Sequence, residues 1–368
     1  MDEPIRVAYT LEQCWHKVPG GTAVAALETA RALADRKEVR LVGVAARHAG
    51  PPMAAWTPPI EVHHLPLPRL ALYESWHRLR RPRVERATGP VDVVHATTLA
   101  MPPRSKPIVL TIHDLAFLHH PQHFTARGLS FFGRGLRIAL RDADLVLCSS
   151  RAVLGDCRAA GFAEERLRLV PLGVVSRLAS REEVERVRRR YRLERPYVMW
   201  AGTIEPRKNL PGLITAFRNL ERDLDLVLAG PDGWNEDLGT LVAPIRDRVR
   251  LVGFVPATDR DALLAGAEVF CYPSLMEGFG LPVLEAMAQG TPVVTSAGTS
   301  TEEVAEGAGV IVDPHDPDAI AAGLRSVVDD PATAAGLMQK GLARAAEYTW
   351  ERTAQLVSAC YAEVRGRA

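Results

Sequence analysis

The chain has 368 residues, of which 47% are hydrophobic and 24% are charged. This globular composition excludes a low-complexity or disordered chain, and the length favours two domains. The net charge of +1 and the absence of aromatic residues interleaved with the basic ones argue against nucleic acid as a partner. No window of the sequence is apolar for long enough to span a bilayer.

Charge is distributed unevenly along the chain. Residues 1–178 hold 24 Lys and Arg against 16 Asp and Glu, whereas the remainder holds 21 against 28. This asymmetry indicates that the first half faces something anionic. The five cysteines are widely spaced without a Cys-x-x-Cys pair, which predicts neither a disulfide framework nor a structural zinc site. The N-terminus shows no signal-peptide pattern. We therefore expect a cytoplasmic protein, and peripheral contact with the inner face of the plasma membrane stays open.

Short apolar and β-branched runs alternate with helical segments through the whole chain. This alternation predicts a doubly wound α/β architecture. The final residues, up to about 364, form an amphipathic pattern that predicts a closing helix. Strands are predicted at 5–10, 40–45, 91–95, 108–112, 144–149 and 167–171 in the first half, and at 197–201, 225–229, 249–252, 267–272, 292–295 and 309–312 in the second.

Two features of the first half are candidate binding groups. Gly20 and Gly21 precede a predicted helix, where exposed N–H groups favour an anion; a plain tight turn is the alternative. His113 directly follows the strand 108–112, and the carboxyl ends of parallel strands line the ligand crevice. A histidine bonded inside a turn is the alternative there. The nearby residues His119, His120 and His123 match no familiar zinc spacing, so no metal site is predicted.

A basic segment covers residues 76–86. One interpretation is a solvated helix face, and the other is contact with anionic lipid headgroups or a phosphorylated acceptor. Its arginines are Arg78, Arg80, Arg81, Arg83 and Arg86.

The second half places two adjacent cations between a strand and a helix. Arg207 and Lys208 follow the strand 197–201. Arginine grips phosphate in a fork, while lysine acts as a point charge. The pair therefore predicts an anion site, and a solvated surface is the alternative.

The stretch 274–285 combines a strand end, a glycine loop and a helix start. Glu277 lies at the mouth of the loop, Gly278 and Gly280 lie within it, and Glu285 lies one turn into the helix. Bare backbone N–H groups and the positive helix end favour phosphate, and carboxylates accept hydrogen bonds from hydroxyls. The stretch suits a ligand that carries both phosphate and sugar hydroxyls.

Seven residues separate Glu277 from Glu285, and they include Gly278-Phe279-Gly280. This pattern resembles the signature of family 4 retaining glycosyltransferases. The neighbouring sequence fits it too, with Tyr272-Pro273-Ser274 before and Glu285-Ala286-Met287-Ala288-Gln289-Gly290-Thr291-Pro292 after. The resemblance covers most of the chain and is strongest in the second half. It implies the GT-B fold, in which two Rossmann-like domains face each other across a cleft. The expected domains are residues 1–175, completed by the helix 348–368, and residues 176–347.

The resemblance also implies roles for the candidate residues. In the second domain Arg207 and Lys208 would hold the donor diphosphate, Glu277 the donor hexose and Glu285 the ribose. Thr203 stands where many relatives carry an arginine. This chain therefore lacks one of the cations that the resemblance would place near the diphosphate. The remaining expected contacts are backbone groups of Gly278, Phe279, Gly280 and Leu281 to sugar and phosphate, Val255 to the base, Gly20 and Gly21 to the diphosphate or the acceptor, and His113 to hydroxyls of the donor sugar. A simple βα loop is the alternative for the segment that contains Val255.

The expected activity is transfer of a hexose from a nucleotide-diphosphate sugar to a glycan, lipid-linked or small-molecule acceptor. The motifs resemble those of bacterial mannosyltransferases that use GDP-mannose, and UDP-glucose is the alternative donor. No cofactor and no metal are expected, because the cations take the place of a metal. The partners expected are the donor, an unknown hydroxyl acceptor and, through the basic first domain, an anionic membrane. Rival interpretations are a non-catalytic sugar-nucleotide-binding protein, a membrane scaffold, and a glycoside hydrolase or phosphorylase using Glu277 and Glu285.

Overall fold

The computed structural model describes residues 3–17, 19–231 and 238–367. The chain divides into two compact units. The N-terminal unit comprises Met1–Gly173 and Trp350–Ala368, and the C-terminal unit comprises Val174–Thr349. The outermost residues of the predicted first domain, 1–2 and 368, lie outside the described part of the chain.

The N-terminal unit contains a seven-stranded, wholly parallel sheet of order β3-β2-β1-β4-β5-β6-β7. The central strands are buried on both faces, as expected for continuous Val, Leu and Ile runs. Its strands are β1 Ile5–Thr10, β2 Val39–Ala45, β3 Val62–His64, β4 Val93–Ala96, β5 Ile108–Ile112, β6 Leu145–Cys148 and β7 Leu167–Leu169. The helices before residue 174 are α1 Gly21–Ala34, α2 Arg69–Arg78, α3 Glu85–Thr88, α4 Ala116–His119, α5 Ala126–Asp142 and α6 Arg151–Ala159.

The C-terminal unit contains a six-stranded parallel sheet of order β10-β9-β8-β11-β12-β13. Its strands are β8 Tyr197–Ala201, β9 Asp225–Ala229, β10 Val249–Gly253, β11 Val269–Tyr272, β12 Val293–Ser296 and β13 Val310–Val312. Its helices are α7 Arg181–Arg190, α8 Leu210–Arg218, α9 Leu238–Val242, α10 Ala257–Ala265, α11 Leu281–Ala288, α12 Ser300–Ala305, α13 Pro317–Val328 and α14 Pro331–Ala346.

The last helix, α15 (Trp350–Gly366), packs on the sheet of the N-terminal unit. Its residues Val357 and Tyr361 share an apolar core with Val93 of β4 and Val109 of β5. The Tyr361 hydroxyl lies 2.6 Å from Nδ1 of the buried His95. The N-terminal unit is therefore completed by residues that follow the C-terminal unit in the chain.

In each sheet the strand order reverses beside its first strand, between β1 and β4 and between β8 and β11. Such a switch point, outside the carboxyl ends of the strands, is where open α/β sheets bind ligands. In the C-terminal unit the segments leaving β8 and β11 carry the predicted cations and the predicted glycine loop. Both units thus confirm the doubly wound architecture predicted from the sequence. Within the described residues, every helix is too short or too polar to cross a bilayer.

Candidate active site

The segment between β8 and α8 presents Arg207 and Lys208 at the carboxyl end of the sheet. A short 3-10 turn, Pro206–Lys208, is followed by Asn209 with φ +56°. The Asn209 side chain accepts a hydrogen bond from Gly212 N–H and donates to the carbonyl oxygens of Pro273 and Pro314 at 3.1 and 2.6 Å. Asn209 therefore caps α8 and also fixes the cationic segment beside the end of β11.

The two cations meet Glu277 directly. Lys208 Nζ lies 2.5 Å from Glu277 Oε1 and 2.5 Å from the Tyr272 hydroxyl. Arg207 reaches Glu277 Oε2 at 3.2 Å and Glu205 Oε1 at 2.8 Å. Glu205 and Lys208 are buried. These five residues form the charged cluster, in which two carboxylates balance two cations.

The charged cluster shifts the ionisation of its members. Burial by itself would raise the pKa of Glu277, but Lys208 and Arg207 outweigh it and hold that pKa at about 2. Burial, followed by the charge of Arg207, lowers the pKa of Lys208, and Glu277 opposes this. Burial raises the pKa of Glu205 against the attraction of Arg207 and Lys208. Glu277 is therefore a charged hydrogen-bond acceptor at neutral pH, already oriented by two cations.

The glycine loop, residues 273–280, joins β11 to α11. Gly280 caps α11 with φ +103°, and a Cβ there would lie 2.7 Å from Thr301 Cγ2, so the position requires glycine. Among the described residues, the N–H groups of Phe279, Gly280 and Leu281 have no hydrogen-bond partner. Ser300 Oγ donates to the Glu277 carbonyl at 2.8 Å and steadies the loop. These N–H groups at a helix start form an anion-binding element.

The side chain of Phe279 is buried, so only its backbone is available to the anion-binding element. The ring lies edge-on to Tyr348, with the ring centroids 5.8 Å apart.

Glu285 lies one turn into α11 and pairs with Arg260 of α10 at 3.1 Å. Burial raises the pKa of Glu285, Arg260 opposes this, and Asp261 adds to it. Val255 lies between β10 and α10, after Gly253 and beside Phe254, whose side chain is 61% exposed. Arg207, Lys208, Glu277 and the glycine loop form one connected network, while Glu285 and Val255 occupy neighbouring elements of the same unit.

The predicted residues of the first half lie in the N-terminal unit. His113 directly follows β5 and hydrogen-bonds the Thr97 backbone. Its Nε2 is buried and has no hydrogen-bond partner. Burial lowers the pKa of His113, and Asp114 and the Thr97 bond oppose this. The structure therefore holds a half-buried imidazole with one unused nitrogen beside a small cavity that Thr29 and Ser149 also line.

Gly20 and Gly21 begin α1. Gly20 is the N-cap in an extended conformation, and a Cβ at Gly20 would meet nothing within 4 Å. The helix start is therefore open to close approach by a ligand.

The three further histidines do not gather around one point. His119 pairs with Asp156 at 3.0 Å, while His120 and His123 stack on each other. In the described chain, no three His, Cys, Asp or Glu side chains are grouped so that they could hold a metal ion.

The basic segment is less uniform than its sequence suggests. Arg80, with φ +54°, folds inward and donates to the carbonyl oxygens of Trp76, Met101 and Pro102 and to Asp142. Arg78 pairs with Glu74. Within the segment 76–86, which the structure describes in full, the exposed arginines that form no ion pair are Arg81, Arg83 and Arg86. They are close in sequence to Leu79, which is 70% exposed.

Comparison with known proteins agrees with this geometry. A family model described as Glycosyltransferase Family 4 matches residues 19–177, and one described as Glycosyl transferases group 1 matches residues 182–344. The O-antigen chain mannosyltransferase B of Escherichia coli is 33% identical over 279 residues, which cover 73% of each chain. The chain belongs to the family 4 glycosyltransferases.

Two further similarities describe this glycosyltransferase. The D-inositol 3-phosphate glycosyltransferase of Salinispora tropica is 31% identical over 94% of this chain and 81% of its own length. The crystal structure of Anabaena Alr3699/HepE in complex with UDP and glucose has a TM-score of 0.77 at 19% identity and covers 98% of this chain and 100% of its own. The structural likeness shows the GT-B fold that the sequence predicts.

Some residues of the glycosyltransferase site were not predicted. Glu205, Tyr272 and Arg260 contact predicted residues, namely Arg207, Lys208 and Glu285 in that order. Tyr272 stands in the quoted stretch Tyr272-Pro273-Ser274, and Glu205 lies two residues before Arg207. Nearness in sequence to predicted residues was the available signal for both. Arg260 and Glu285 lie on different helices, and no sequence pattern connects them, so their ion pair could not be predicted.

Proposed function

We propose that this glycosyltransferase transfers mannose from GDP-mannose to a hydroxyl of a glycan, lipid-linked or small-molecule acceptor, with retention of anomeric configuration and without a metal ion. The observation that carries the proposal is the charged cluster beside the glycine loop. The charged cluster and the glycine loop together bring two cations, an ionised carboxylate and the N–H groups of residues 279–281 into one unit. A sugar bearing a diphosphate needs those three kinds of group together.

In the proposed complex, Arg207 and Lys208 contact the diphosphate, and the N–H groups from Gly278 to Leu281 complete its coordination. Negative charge grows on the diphosphate as the glycosidic bond breaks. Preorganised donors stabilise that charge, each by about 2.7–4 kcal/mol. Glu277 accepts hydrogen bonds from hydroxyls of the hexose, and its two cationic partners keep it ionised.

Glu285 accepts the ribose hydroxyls in this proposal, and Val255 faces the base through its backbone. Arg260 holds Glu285 in place from the neighbouring helix. His113 and the Gly20-Gly21 helix start act from the N-terminal unit, His113 on hydroxyls of the donor sugar and the glycines on the diphosphate or the acceptor. The acceptor oxygen attacks the face that the diphosphate leaves. The acceptor proton passes to a phosphate oxygen of the departing GDP, so charge and atoms balance without a covalent enzyme intermediate.

Mannose is favoured because a mannosyltransferase is similar over most of the chain and because the segment Gly202–Asn209 resembles that of GDP-mannose enzymes. The fold neighbour solved with UDP and glucose makes UDP-glucose the second donor to test. A series of thermal unfolding measurements with GDP, UDP and ADP, each with and without Mg²⁺, separates them. A nucleotide at about 100 times its dissociation constant adds roughly 2.7 kcal/mol of stability.

The expected result is a shift with GDP alone that does not depend on Mg²⁺, followed by mannose transfer in an acceptor screen. A thermal shift with UDP alone would show that the donor is a UDP-sugar and not GDP-mannose. A shift that requires Mg²⁺ would contradict the metal-free mechanism, and the absence of any shift would contradict the nucleotide-sugar site.

Peripheral contact with an anionic membrane is part of the proposal. It is supported by the exposed Arg81, Arg83 and Arg86 beside the exposed Leu79, since cations and apolar side chains together bind anionic headgroups. Flotation with phosphatidylglycerol vesicles should recover the protein, and the triple substitution of these arginines by alanine should abolish recovery. As a control, substitution of Arg158, which forms an ion pair with Glu164, should leave the recovery unchanged. Equal recovery of all three proteins would contradict this contact.

A further inference from the structure

Tyr272 is the last residue of β11 and directly precedes the glycine loop. Its side chain is fully buried. The ring stacks on Phe270, with the ring centroids 5.6 Å apart, and lies 6.5 Å from the ring of Trp200 on the neighbouring strand β8. The position of the Tyr272 hydroxyl is therefore set by the sheet of the C-terminal unit, and not by the glycine loop.

The partners of this hydroxyl among the described residues are charged groups. Lys208 Nζ lies 2.5 Å from the hydroxyl, and the same nitrogen lies 2.5 Å from Glu277 Oε1. Glu277 also hydrogen-bonds the hydroxyl. An ammonium group only donates, an ionised carboxylate only accepts, and a phenol does both. The hydroxyl therefore accepts from Lys208 and donates to Glu277, which closes a triangle of three hydrogen bonds.

This triangle limits where the Lys208 ammonium points. An ammonium group has three N–H donors. Tyr272 and Glu277 take two of them, and among the residues that the structure describes the third has no partner. Because the N–H bonds are tetrahedral, two fixed contacts determine the direction of the third. Lysine is ordinarily a flexible point charge, and the phenol turns it into a directed donor.

Tyr197 shows how a buried tyrosine of structural role is satisfied in the same sheet. It begins β8, it is also fully buried, and its hydroxyl donates to the Leu263 carbonyl oxygen at 2.6 Å. A single backbone acceptor meets the need of a buried phenol. The Tyr272 hydroxyl instead contacts two groups that are proposed to bind the donor, so its position bears on the reaction.

We propose that Tyr272 is a positioning residue of the transfer reaction, whose hydroxyl orients the Lys208 ammonium so that its remaining N–H points at the diphosphate of the donor. This inference rests on the proposed function, because the diphosphate belongs to the proposed donor. Without the hydroxyl, Arg207 and the N–H groups of the glycine loop would still bind the diphosphate. Loss of the hydroxyl therefore affects stabilisation of the leaving group more than donor binding.

The hydroxyl also stabilises both charges that it contacts, because a hydrogen bond to the charged form of a group favours that form. Tyr272→Phe should therefore lower the pKa of Lys208 and raise that of Glu277. The other charged groups that face Lys208, Arg207 and Glu205, stay in place. Since the ammonium is the active form of Lys208, the alkaline limb of the pH profile of kcat should move to lower pH.

Steady-state kinetics with GDP-mannose and with UDP-glucose test this role. Tyr272→Phe keeps the ring and its packing, so the fold is retained. The variant should lower kcat about tenfold, as expected for loss of a hydrogen bond to a charged group, with the donor KM nearly unchanged and the alkaline limb shifted. Tyr197→Phe is the matched control. It also loses a buried hydroxyl and should reduce thermal stability, while kcat and its pH profile stay as in the unmodified chain.

Two further measurements show whether the hydroxyl acts through the charged cluster. In a Lys208→Ala background, Tyr272→Phe should have a smaller effect on kcat, because the ammonium that the hydroxyl orients is absent. Urea unfolding at a series of pH values needs no substrate. Below pH 4.5, the ordinary pKa of glutamate, the acid dependence contributed by Glu277 should be smaller in Tyr272→Phe and should be retained in Tyr197→Phe.

The outcomes separate this inference from the proposed function. Transfer with an unchanged kcat in Tyr272→Phe, with an alkaline limb that does not move, or with an equal loss of kcat with and without Lys208 would overturn the role of Tyr272 and support the proposed function. No transfer from either donor, together with a reduced acid dependence of unfolding in Tyr272→Phe alone, would support the hold of the hydroxyl on the cluster and contradict the proposed function.

Discussion

The carboxyl ends of the two sheets carry opposite kinds of polar group. In the C-terminal unit the charged cluster is ionic and internally paired, with Lys208 and Arg207 both on Glu277. In the N-terminal unit, His113 Nε2 is buried and has no hydrogen-bond partner among the described residues. Burial lowers the pKa of His113, which favours the neutral imidazole. Paired charges preorganise a site for an anionic diphosphate, and unsatisfied single groups suit neutral hydroxyls. In the proposed function, the paired charges would bind the diphosphate of the donor, and the unpaired histidine nitrogen would bind a hydroxyl.

The largest expected effect comes from removing one charge of the cluster. Lys208→Ala should lower kcat by about 10²–10³, because a preorganised donor to the leaving group is lost. The measurement is GDP release from GDP-mannose in the presence of an acceptor. Lys340→Ala, at an exposed lysine of the same unit, is the control and should keep full activity. Unchanged turnover in Lys208→Ala would show that Lys208 does not act on the diphosphate.

Acid should weaken the C-terminal unit through Glu277. Its pKa is held at about 2, below the ordinary 4.5, so the folded chain favours the ionised form. The resulting stabilisation is complete above about pH 4.5 and is lost as the pH falls toward 2, and it amounts to on the order of 3 kcal/mol. Glu277→Gln should lack this part of the pH dependence.

Urea unfolding at a series of pH values measures this effect. The difference between the unmodified chain and Glu277→Gln should shrink as the pH falls below 4.5. Glu268→Gln, at an exposed glutamate, should follow the unmodified chain. A difference that does not change with pH would show that Glu277 is not held ionised by its partners.

A smaller effect is expected at the start of α11. Gly280→Ala forces a side chain into φ +103° and against Thr301 Cγ2, so it should cost about 1–3 kcal/mol and reduce the thermal shift with nucleotide. Gly298 also has a positive φ, +71°, but a Cβ there would meet nothing within 4 Å. Gly298→Ala should therefore cost less. Thr301→Ser, which removes the contacted methyl group, should partly restore Gly280→Ala. Equal costs at both glycines would contradict the role of the contact.

The smallest effect on the candidate site is expected where α15 docks on the N-terminal unit. Tyr361→Phe leaves His95 Nδ1 buried without its 2.6 Å partner and should cost about 1–3 kcal/mol of unfolding free energy. Nucleotide binding should change little, because Arg207, Lys208 and Glu285, which are proposed to bind the nucleotide, lie in the other unit. In a double-mutant cycle with His95→Leu, the Tyr361→Phe cost should fall. A cost that is independent of His95 would exclude the hydrogen bond as its origin.

The sequence was most informative where local pattern decides structure. Parallel strands buried on both faces produce continuous apolar runs, so almost every strand was predicted. The three-residue edge strand β3 was missed because it follows a proline-rich stretch and is too short to show a pattern. The strand-loop-helix character of residues 269–288 was also predicted, since Gly280 and Pro282 mark the helix start.

The contacts inside the site depend on which segments the fold brings together, and local pattern does not contain that information. Glu277 was predicted as a hexose ligand, but its ion pairs with Lys208 and Arg207 join segments about 70 residues apart. Arg80 shows the converse case. Its neighbours in sequence indicate an exposed basic segment, while a left-handed backbone turn directs it to Asp142, 62 residues away.

The position of α15 bears on how the protein is made. The C-terminal unit is one continuous stretch, residues 174–349, whereas the N-terminal unit needs residues on both sides of it. On a ribosome, the first seven strands emerge early but remain without the helix that covers Val93 and Val109. The later-synthesised unit can therefore finish folding first, and the earlier one stays incomplete until residues 350–366 have been synthesised. A stop codon just after Thr349 would leave an apolar sheet face uncovered, which is a route to aggregation rather than to a smaller enzyme.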